Sequence, residues 1–192
     1  SDLRENDLFD IRNLKILDKN INFRDIYSRA TEIEFSGEDI KFETIKYYLQ
    51  IINQGRIKKI KIYNCDLLLS DFLKFVYNDK ILFLFEKTDI QKFEIFKIKN
   101  CVISNQQVEM LSIFDQLENL SIDGNLPVLL NECSEDYTII NFVLTNCNLK
   151  GYIDDFFKIK NLYIKNATGP SIQVKDIQII NCLDENSEIK VD

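Results

Sequence analysis

The chain has 192 residues, of which 45% are hydrophobic, and this is enough for one domain with a sizeable core. Its 31 acidic and 24 basic residues give a net charge of −7, which disfavours general nucleic-acid binding unless the basic residues cluster. The sequence contains no histidine, the commonest general base and metal ligand, and no apolar run of about 18 residues that could cross a membrane.

The first ten residues are mostly charged, and we expect them to cap the exposed core at the start of the fold. Apolar residues then recur at three- and four-residue steps over 42–52, ahead of Gly55, which predicts a helix with a glycine C-cap. Serine N-cap patterns predict two more helices, over 70–76 and 104–114. Later crossovers are shorter and leave less room for helices.

The clearest internal repeat begins at Phe93. The apolar residues Phe96, Ile98 and Ile103, with Cys101 among them, complete the pattern L-x-x-L-x-L-x-x-N/C-x-L. The same frame can be laid over the chain from residues 11, 30, 57, 93, 117, 139, 159 and 174. The steps between the frames are irregular, so the crossover segments must differ in length and structure.

One position that was not used to find the frames supports them. Two residues after the last apolar residue of its strand, each frame has a residue that tolerates left-handed or turn backbone. These residues are Asp18, Gly37, Asn64, Asn100, Gly124, Asn146, Asn166 and Asn181. In four frames the next residue is a cysteine, predicted to be buried under the turn: Cys65, Cys101, Cys147 and Cys182.

The pairs Asn64–Cys65, Asn100–Cys101 and Asn146–Cys147 resemble the cysteine-containing leucine-rich repeats of eukaryotic proteins. The resemblance covers about residues 11–182. It implies an α/β fold, a curved horseshoe solenoid with a parallel β-sheet on the concave face and irregular helices and loops on the convex face. Many members of that family are substrate-recognition arms of ubiquitin ligases.

The resemblance also implies one leucine-rich-repeat domain over residues 1–192. Within it we predict an N-terminal cap at 1–10, about eight or nine irregular repeats over 11–182 and a tail at 183–192. A ninth strand fits the apolar run 81–85. Because side chains alternate along a strand, either Ile81, Phe83 and Phe85 or the two leucines between them must point outward, and we favour the first register.

The concave face is where solenoids usually bind partners. On the predicted frames, an apolar stripe flanked by lysines lies on this face, and exposed aromatic residues rimmed by charge are typical of an interaction patch. The predicted partner-binding residues are Lys59, Lys61, Tyr63, Ile81, Phe83, Phe85, Ile95, Lys97 and Lys99. The alternative is that a loop, the N-terminal segment or a second copy of the chain in a homodimer covers this patch.

A second candidate surface lies nearer the C-terminal end. It consists of Val143, Tyr163 and Ile180, accompanied by an asparagine column. The column is predicted at residues 119, 141 and 161. Ordinary scattered surface residues are the competing interpretation.

No catalytic or cofactor site is predicted. The five glycines are scattered singly along the chain, so they form no phosphate-binding loop. The five cysteines are also widely separated, and their spacing matches no zinc-ligand motif. We therefore expect no enzyme activity, no cofactor and no metal.

The sequence leaves three functional hypotheses. The first is a non-enzymatic protein–protein interaction module. The second is a nucleic-acid or ribonucleoprotein contact through Lys59, Lys61, Lys97, Lys99 and the neighbouring Lys58. The third is an effector that a parasite secretes to bind a host protein. The abundance of Ile, Asn, Lys and Phe indicates an AT-rich genome, which describes the organism rather than the activity.

Two observations bear on the cellular compartment. Five cysteines, four of them at equivalent predicted buried positions, favour a reducing compartment such as the cytoplasm. The glycosylation sequons at Asn119 and Asn166 point instead towards secretion.

Overall fold

The chain folds into a solenoid of stacked coils built from parallel strands. The computed structural model describes residues 13–16, 30–37, 40–69, 71–95, 98–104, 108–114, 116–124, 127–132, 137–148, 152–153, 158–168, 171–174, 178–185 and 190–191. The predicted N-terminal cap at 1–10 lies outside these residues. Three parallel sheets and one α-helix form the described part of the fold.

The first sheet has nine strands, and each strand pairs in parallel with the next one along the solenoid. Strands are numbered in chain order through the whole molecule. In the first sheet they are β1 (Asn13–Ile16), β2 (Glu32–Ser36), β3 (Lys59–Tyr63), β5 (Leu82–Glu86), β7 (Asn100–Ser104), β9 (Asn119–Asp123), β11 (Thr138–Thr145), β13 (Lys158–Lys165) and β15 (Gln178–Glu185).

The crossovers between these strands carry the other elements. The second sheet contains β4 (Asp66–Leu69), β6 (Asp89–Ile95), β8 (Val108–Ile113) and β10 (Val128–Asn131), and the third contains β12 (Tyr152–Ile153), β14 (Ser171–Val174) and β16 (Lys190–Val191). Earlier crossovers contain helix α1 (Phe42–Ile51) and the 3-10 helices Gln54–Arg56 and Asp71–Phe75.

Alternation along the first-sheet strands sends every second side chain into the core. Two inward rows cross the sheet, and their described members are at most 2% exposed. They are Ile33, Ile60, Phe83, Cys101, Leu120, Phe142 and Leu162 in one row, and Phe35, Ile62, Phe85, Ile103, Ile122, Leu144 and Ile164 in the other. Buried residues of the second sheet and of α1 complete this core. Period-2 alternation of large apolar residues therefore fixes the register of the sheet.

The register confirms the frames that begin at 30, 57, 117, 139 and 159 and the strand positions Leu14 and Ile16 of the frame at 11, and it corrects the other two. Phe93 and Ile95 lie in β6 of the second sheet, and the first-sheet strand nearby is β7. Likewise, the last strand of the first sheet is β15, which begins at Gln178 and not at residue 174. Strands β15 and β16 extend into 183–191, which we had predicted to be a tail.

The predicted left-handed turn position is confirmed at Gly37, Asn64, Gly124, Asn146 and Asn166, all of which have positive φ. The prediction is wrong for the two asparagines of the misplaced frames, because Asn100 and Asn181 lie within strands β7 and β15. In the coil between β5 and β6, Lys87 occupies the turn with φ of 49°. Asp18 and the side chain of Cys182 lie outside the described residues.

A small side chain is buried directly after each of four such turns. Cys65, Thr88, Cys147 and Ala167 are at most 6% exposed. The Sγ–H of Cys65 donates to the carbonyl of Tyr63, two residues earlier (3.3 Å), and the Oγ1–H of Thr88 makes the equivalent bond to Glu86 (3.0 Å). Each of these two side chains also reaches a carbonyl of the preceding coil. The position thus selects a small hydrogen-bond donor, or alanine, rather than cysteine itself.

We expect the thiols of Cys65, Cys101 and Cys147 to resist alkylation in the folded protein. Burial raises the pKa of Cys65 and of Cys147 to about 11, and it raises the pKa of the Cys101 thiol further still. Since only the thiolate reacts, a pKa higher by about 2 slows labelling about 100-fold. Pulsed iodoacetamide labelling at pH 7.5, read by peptide mass spectrometry, would contradict this if native and urea-unfolded chains reacted equally fast.

The same raised pKa values fix the sign of a pH effect on stability. In the unfolded chain the Cys65 thiol has its ordinary pKa of 9.0, whereas in the folded chain its pKa is about 11. The unfolded state therefore loses its protons first, and the free energy of unfolding should fall as pH rises between these two values.

Candidate functional site

The outward face of the first sheet, hereafter the outer face, carries the residues that could meet a partner. Three rows of side chains cross the strands on this face. The first row is Glu32, Lys59, Leu82, Asn100, Asn119, Asn141, Asn161 and Asn181. The middle row is Glu34, Lys61, Leu84, Val102, Ser121, Val143, Tyr163 and Leu183. The third row is Ser36, Tyr63, Glu86, Ser104, Asp123, Thr145, Lys165 and Glu185.

The ninth strand predicted at 81–85 is confirmed as β5, but its favoured register is wrong. Ile81, Phe83 and Phe85 are fully buried, and the alternative register places Leu82 and Leu84 on the outer face. The reason is aromatic packing, because the Phe85 ring centroid lies 4.5 Å from that of Phe93 and 6.4 Å from that of Phe72. Core volume at this coil requires the larger side chains inside.

The structure also places the predicted binding residues of the frame at 93 differently. Ile95 is buried in β6 of the second sheet and is not part of the outer face. Lys97 lies outside the described residues. Lys59, Lys61 and Tyr63 do lie on the outer face, where they occupy strand β3.

Lys61 is held by two carboxylates rather than presented to solvent as an unpaired charge. Its Nζ lies 3.1 Å from Glu86 and 3.6 Å from Glu34, on the two neighbouring strands. The hydrogen bond to Glu86 raises the pKa of Lys61 above its ordinary value. The same Nζ lies 5.0 Å from the Tyr63 ring, and Lys87 approaches that ring to 5.7 Å. Lys61 therefore lies in a network of paired charges with Glu34 and Glu86.

Lys99 is similarly paired. Its Nζ lies 3.2 Å from Asp79 and 3.8 Å from Glu118. Together with the net charge of −7, these ion pairs leave little positive potential for a phosphate backbone.

An asparagine ladder runs along the first row. The predicted column at Asn119, Asn141 and Asn161 is confirmed and extends to Asn100 and Asn181. From Asn119 onward, each Nδ2 donates to the Oδ1 of the asparagine in the preceding coil, at 2.6 Å, 2.7 Å, 3.1 Å and 2.9 Å in order along the row. With strands about 4.8 Å apart, the ladder spans about 19 Å. Stacked amides of this kind hold the coils in register.

A groove of about 370 Å³ lies beside the ladder. It arises at Ser121, the smallest side chain of the middle row, which stands between Val102 and Val143. The groove is lined by Leu82, Asn100, Cys101, Val102, Asn119, Leu120, Ser121, Asn141 and Val143. None of these residues carries a formal charge, and most of the groove surface is apolar.

The third row, next to the middle row, carries a hydrogen-bonded carboxylate at Asp123. Asp123 Oδ1 accepts hydrogen bonds from Thr145 Oγ1 (3.1 Å) and Asn146 Nδ2 (2.7 Å), and its Oδ2 lies 3.5 Å from Ser104 Oγ. The carboxylate oxygens of Asp123 are therefore already bonded within the chain.

The second predicted surface is confirmed at Val143 and Tyr163, which are neighbours in the middle row. The next residue in this row is Leu183, which is 61% exposed, and not Ile180. The Tyr163 hydroxyl donates to Glu185, and this bond raises the pKa of Tyr163. The groove and this continuation make one neutral stretch, which covers the first and middle rows of the outer face but not the third row with Asp123, Lys165 and Glu185.

Sequence reasoning missed Val102 and Ser121, and it placed Leu82 on the outer face only in the register that was not favoured. The signal that could have found them is the similar spacing of the ladder residues Asn100, Asn119, Asn141, Asn161 and Asn181. Aligning these asparagines gives the true register of the strands in between.

Within the described ranges, no group of three or more His, Cys, Asp or Glu side chains could hold a metal ion. In the same part of the chain, no helix is long and apolar enough to cross a bilayer. Comparisons of the chain with protein-family models, curated proteins and solved structures give no match.

Proposed function

We propose that the chain is a non-enzymatic protein-interaction module that binds its partner through the outer face of the first sheet. The observation that carries this proposal is the neutral stretch from Leu82 to Leu183, where a groove lies beside a row of hydrogen-bonding amides. Apolar surface with a few placed polar groups is the usual composition of a binding site.

The rigidity of the face also supports the proposal. Backbone pairing joins all nine strands, and the amide ladder ties five of them through side chains. A partner that docks on such a face orders few side chains, so little conformational entropy is lost on binding.

The nucleic-acid alternative is weaker, because Lys61 and Lys99 are already paired with carboxylates. Binding to phosphates would have to break these pairs. We therefore favour a protein partner over a nucleic acid.

We further propose that the solenoid is an irregular variant of the leucine-rich repeat. Support comes from the left-handed asparagine followed by a small buried residue at Asn64–Cys65, Asn146–Cys147 and Asn166–Ala167. In this variant, strands of the second and third sheets take the place of most crossover helices.

Affinity capture from the source cell with a matched pair of variants tests the proposed face. We expect Val143→Glu, on the outer face, to lose the partner, whereas Val128→Glu, the same change at an exposed position of the second sheet, keeps it. A charge placed in an interface typically costs about 1 to 3 kcal/mol, or about 5- to 150-fold in affinity. Recovery of the same proteins by both variants, measured by quantitative mass spectrometry, would count against the outer face.

A further inference from the structure

We propose that the groove over Ser121 binds an uncharged, extended peptide segment of the partner, with one large apolar side chain seated in the groove and the adjacent backbone amides bonded to the asparagine ladder. This inference rests on the proposed function, because it names the chemistry that the partner presents.

The shape of the groove fits one apolar side chain of the bound peptide. Because Ser121 is short, the aliphatic side chains of Val102 and Val143 form facing walls, with Leu82 at one end. A leucine or phenylalanine side chain that enters from water would bury its own surface and that of these walls. A volume of about 370 Å³ accommodates one such side chain with part of its backbone.

The asparagine ladder offers hydrogen-bonding groups to the backbone amides of the bound peptide. A carboxamide has two N–H donors and two acceptor sites. Along the ladder, Asn119 and Asn141 each donate one N–H and accept one. The remaining N–H and lone pair of each amide can meet the C=O and N–H groups of an extended chain, which otherwise would be desolvated without partners.

Charge selects against acidic and basic segments. The groove lining is uncharged although 29% of the chain is Asp, Glu, Lys or Arg. An acidic side chain there would be desolvated without a positively charged lining residue to pair with. A basic side chain would gain little from Asp123, whose oxygens already accept bonds from Thr145 and Asn146. A neutral occupant therefore has the smallest desolvation cost on binding.

The test is an NMR titration of the ¹⁵N-labelled full chain with two small probes, N-acetyl-leucine N-methylamide and N-acetyl-aspartate N-methylamide. We expect the leucine probe to shift the amide resonances of Val102, Ser121 and Val143. The aspartate probe should bind at least about tenfold more weakly, a difference of about 1.4 kcal/mol.

Two substitutions at one position separate filling of the groove from loss of the hydroxyl. Ser121→Phe fills the groove and should lower the affinity for the leucine probe at least about tenfold. Ser121→Ala leaves the groove open and should change that affinity less than about threefold. Amide dispersion and circular dichroism report whether each variant is folded. If Ser121→Phe does not fold, Val143→Glu replaces it, with the same expected loss.

Several results would overturn the inference. They are equal binding of the two probes, shifts that map away from the groove, and concentration-dependent shifts of the same resonances without any probe. The last result would identify a second copy as the occupant.

Capture with Leu84→Glu, which lies on the outer face but outside the groove lining, distinguishes this inference from the proposed function. If Leu84→Glu loses the partner and Ser121→Phe keeps it, the face binds but the groove inference fails. If all the outer-face variants keep it, the proposed function fails as well.

Discussion

Phe85→Ala is expected to lower the free energy of unfolding by about 3 to 5 kcal/mol, measured by urea denaturation. Phe85 is fully buried, and its ring meets three others: Phe72 at 6.4 Å, Phe83 at 6.2 Å and Phe93 at 4.5 Å between centroids. These rings belong to the first sheet, the second sheet and a crossover. Truncation to alanine therefore leaves a cavity where three parts of a coil meet, and a close-packed interior collapses only partly into it.

The adjacent residue supplies the control for this prediction. Leu84 points outward from the same strand and is partly exposed, so Leu84→Ala should cost only about 1 kcal/mol. The pair also tests the register directly. If Leu84→Ala were the more destabilising of the two, the phenylalanines of this strand would face outward, as the favoured sequence register predicted.

The misplaced frames have one physical origin, which is the double use of asparagine. Asparagine tolerates left-handed backbone, and this makes it a good turn residue at Asn64 and Asn146. It also forms side-chain ladders across parallel strands, as at Asn100. Since Asn100 is followed by Cys101, just as Asn64 is followed by Cys65, the local pattern predicts a turn where the structure has a strand. Only pairing with the next coil decides between the two.

The predicted helix over 104–114 is wrong for a related reason. A short apolar run does not distinguish a buried strand from a helix. The strand Val108–Ile113 pairs with β6 on one side and β10 on the other, and this pairing satisfies its backbone on both edges. Such neighbours belong to other coils and are distant in sequence, so local capping patterns cannot report them. The predicted helix over 70–76 similarly becomes the 3-10 helix Asp71–Phe75.

The helix over 42–52 was predictable because its face is regular, and it is confirmed as α1 with Ile45, Tyr48 and Leu49 buried. Its predicted glycine C-cap is wrong. The helix ends at Ile51, and Gly55 lies in the following 3-10 helix without positive φ.

The side chain of Gln54, 0% exposed, completes this helix end instead. Its Nε2 donates to the carbonyls of Leu49 (2.8 Å) and Phe75 (2.9 Å), and its Oε1 accepts from the backbone N–H of Tyr77 (2.9 Å). The Asn78 N–H also approaches the same oxygen, at 3.4 Å. One buried amide thus joins the crossover of one coil to the crossover of the next.

Gln54→Leu should consequently lower the free energy of unfolding by about 3 to 5 kcal/mol, although leucine has nearly the same size as glutamine. The substitution leaves two carbonyls and at least one N–H without the partner that Gln54 provided, and each buried group that is left unsatisfied costs about 1 to 3 kcal/mol. Gln50→Leu is the matched control, because Gln50 is exposed on α1 and glutamine and leucine have similar helix propensity. It should change stability by less than about 0.5 kcal/mol. If both variants unfolded at the same urea concentration, water would have to replace the amide of Gln54, and the crossovers would be joined by packing alone.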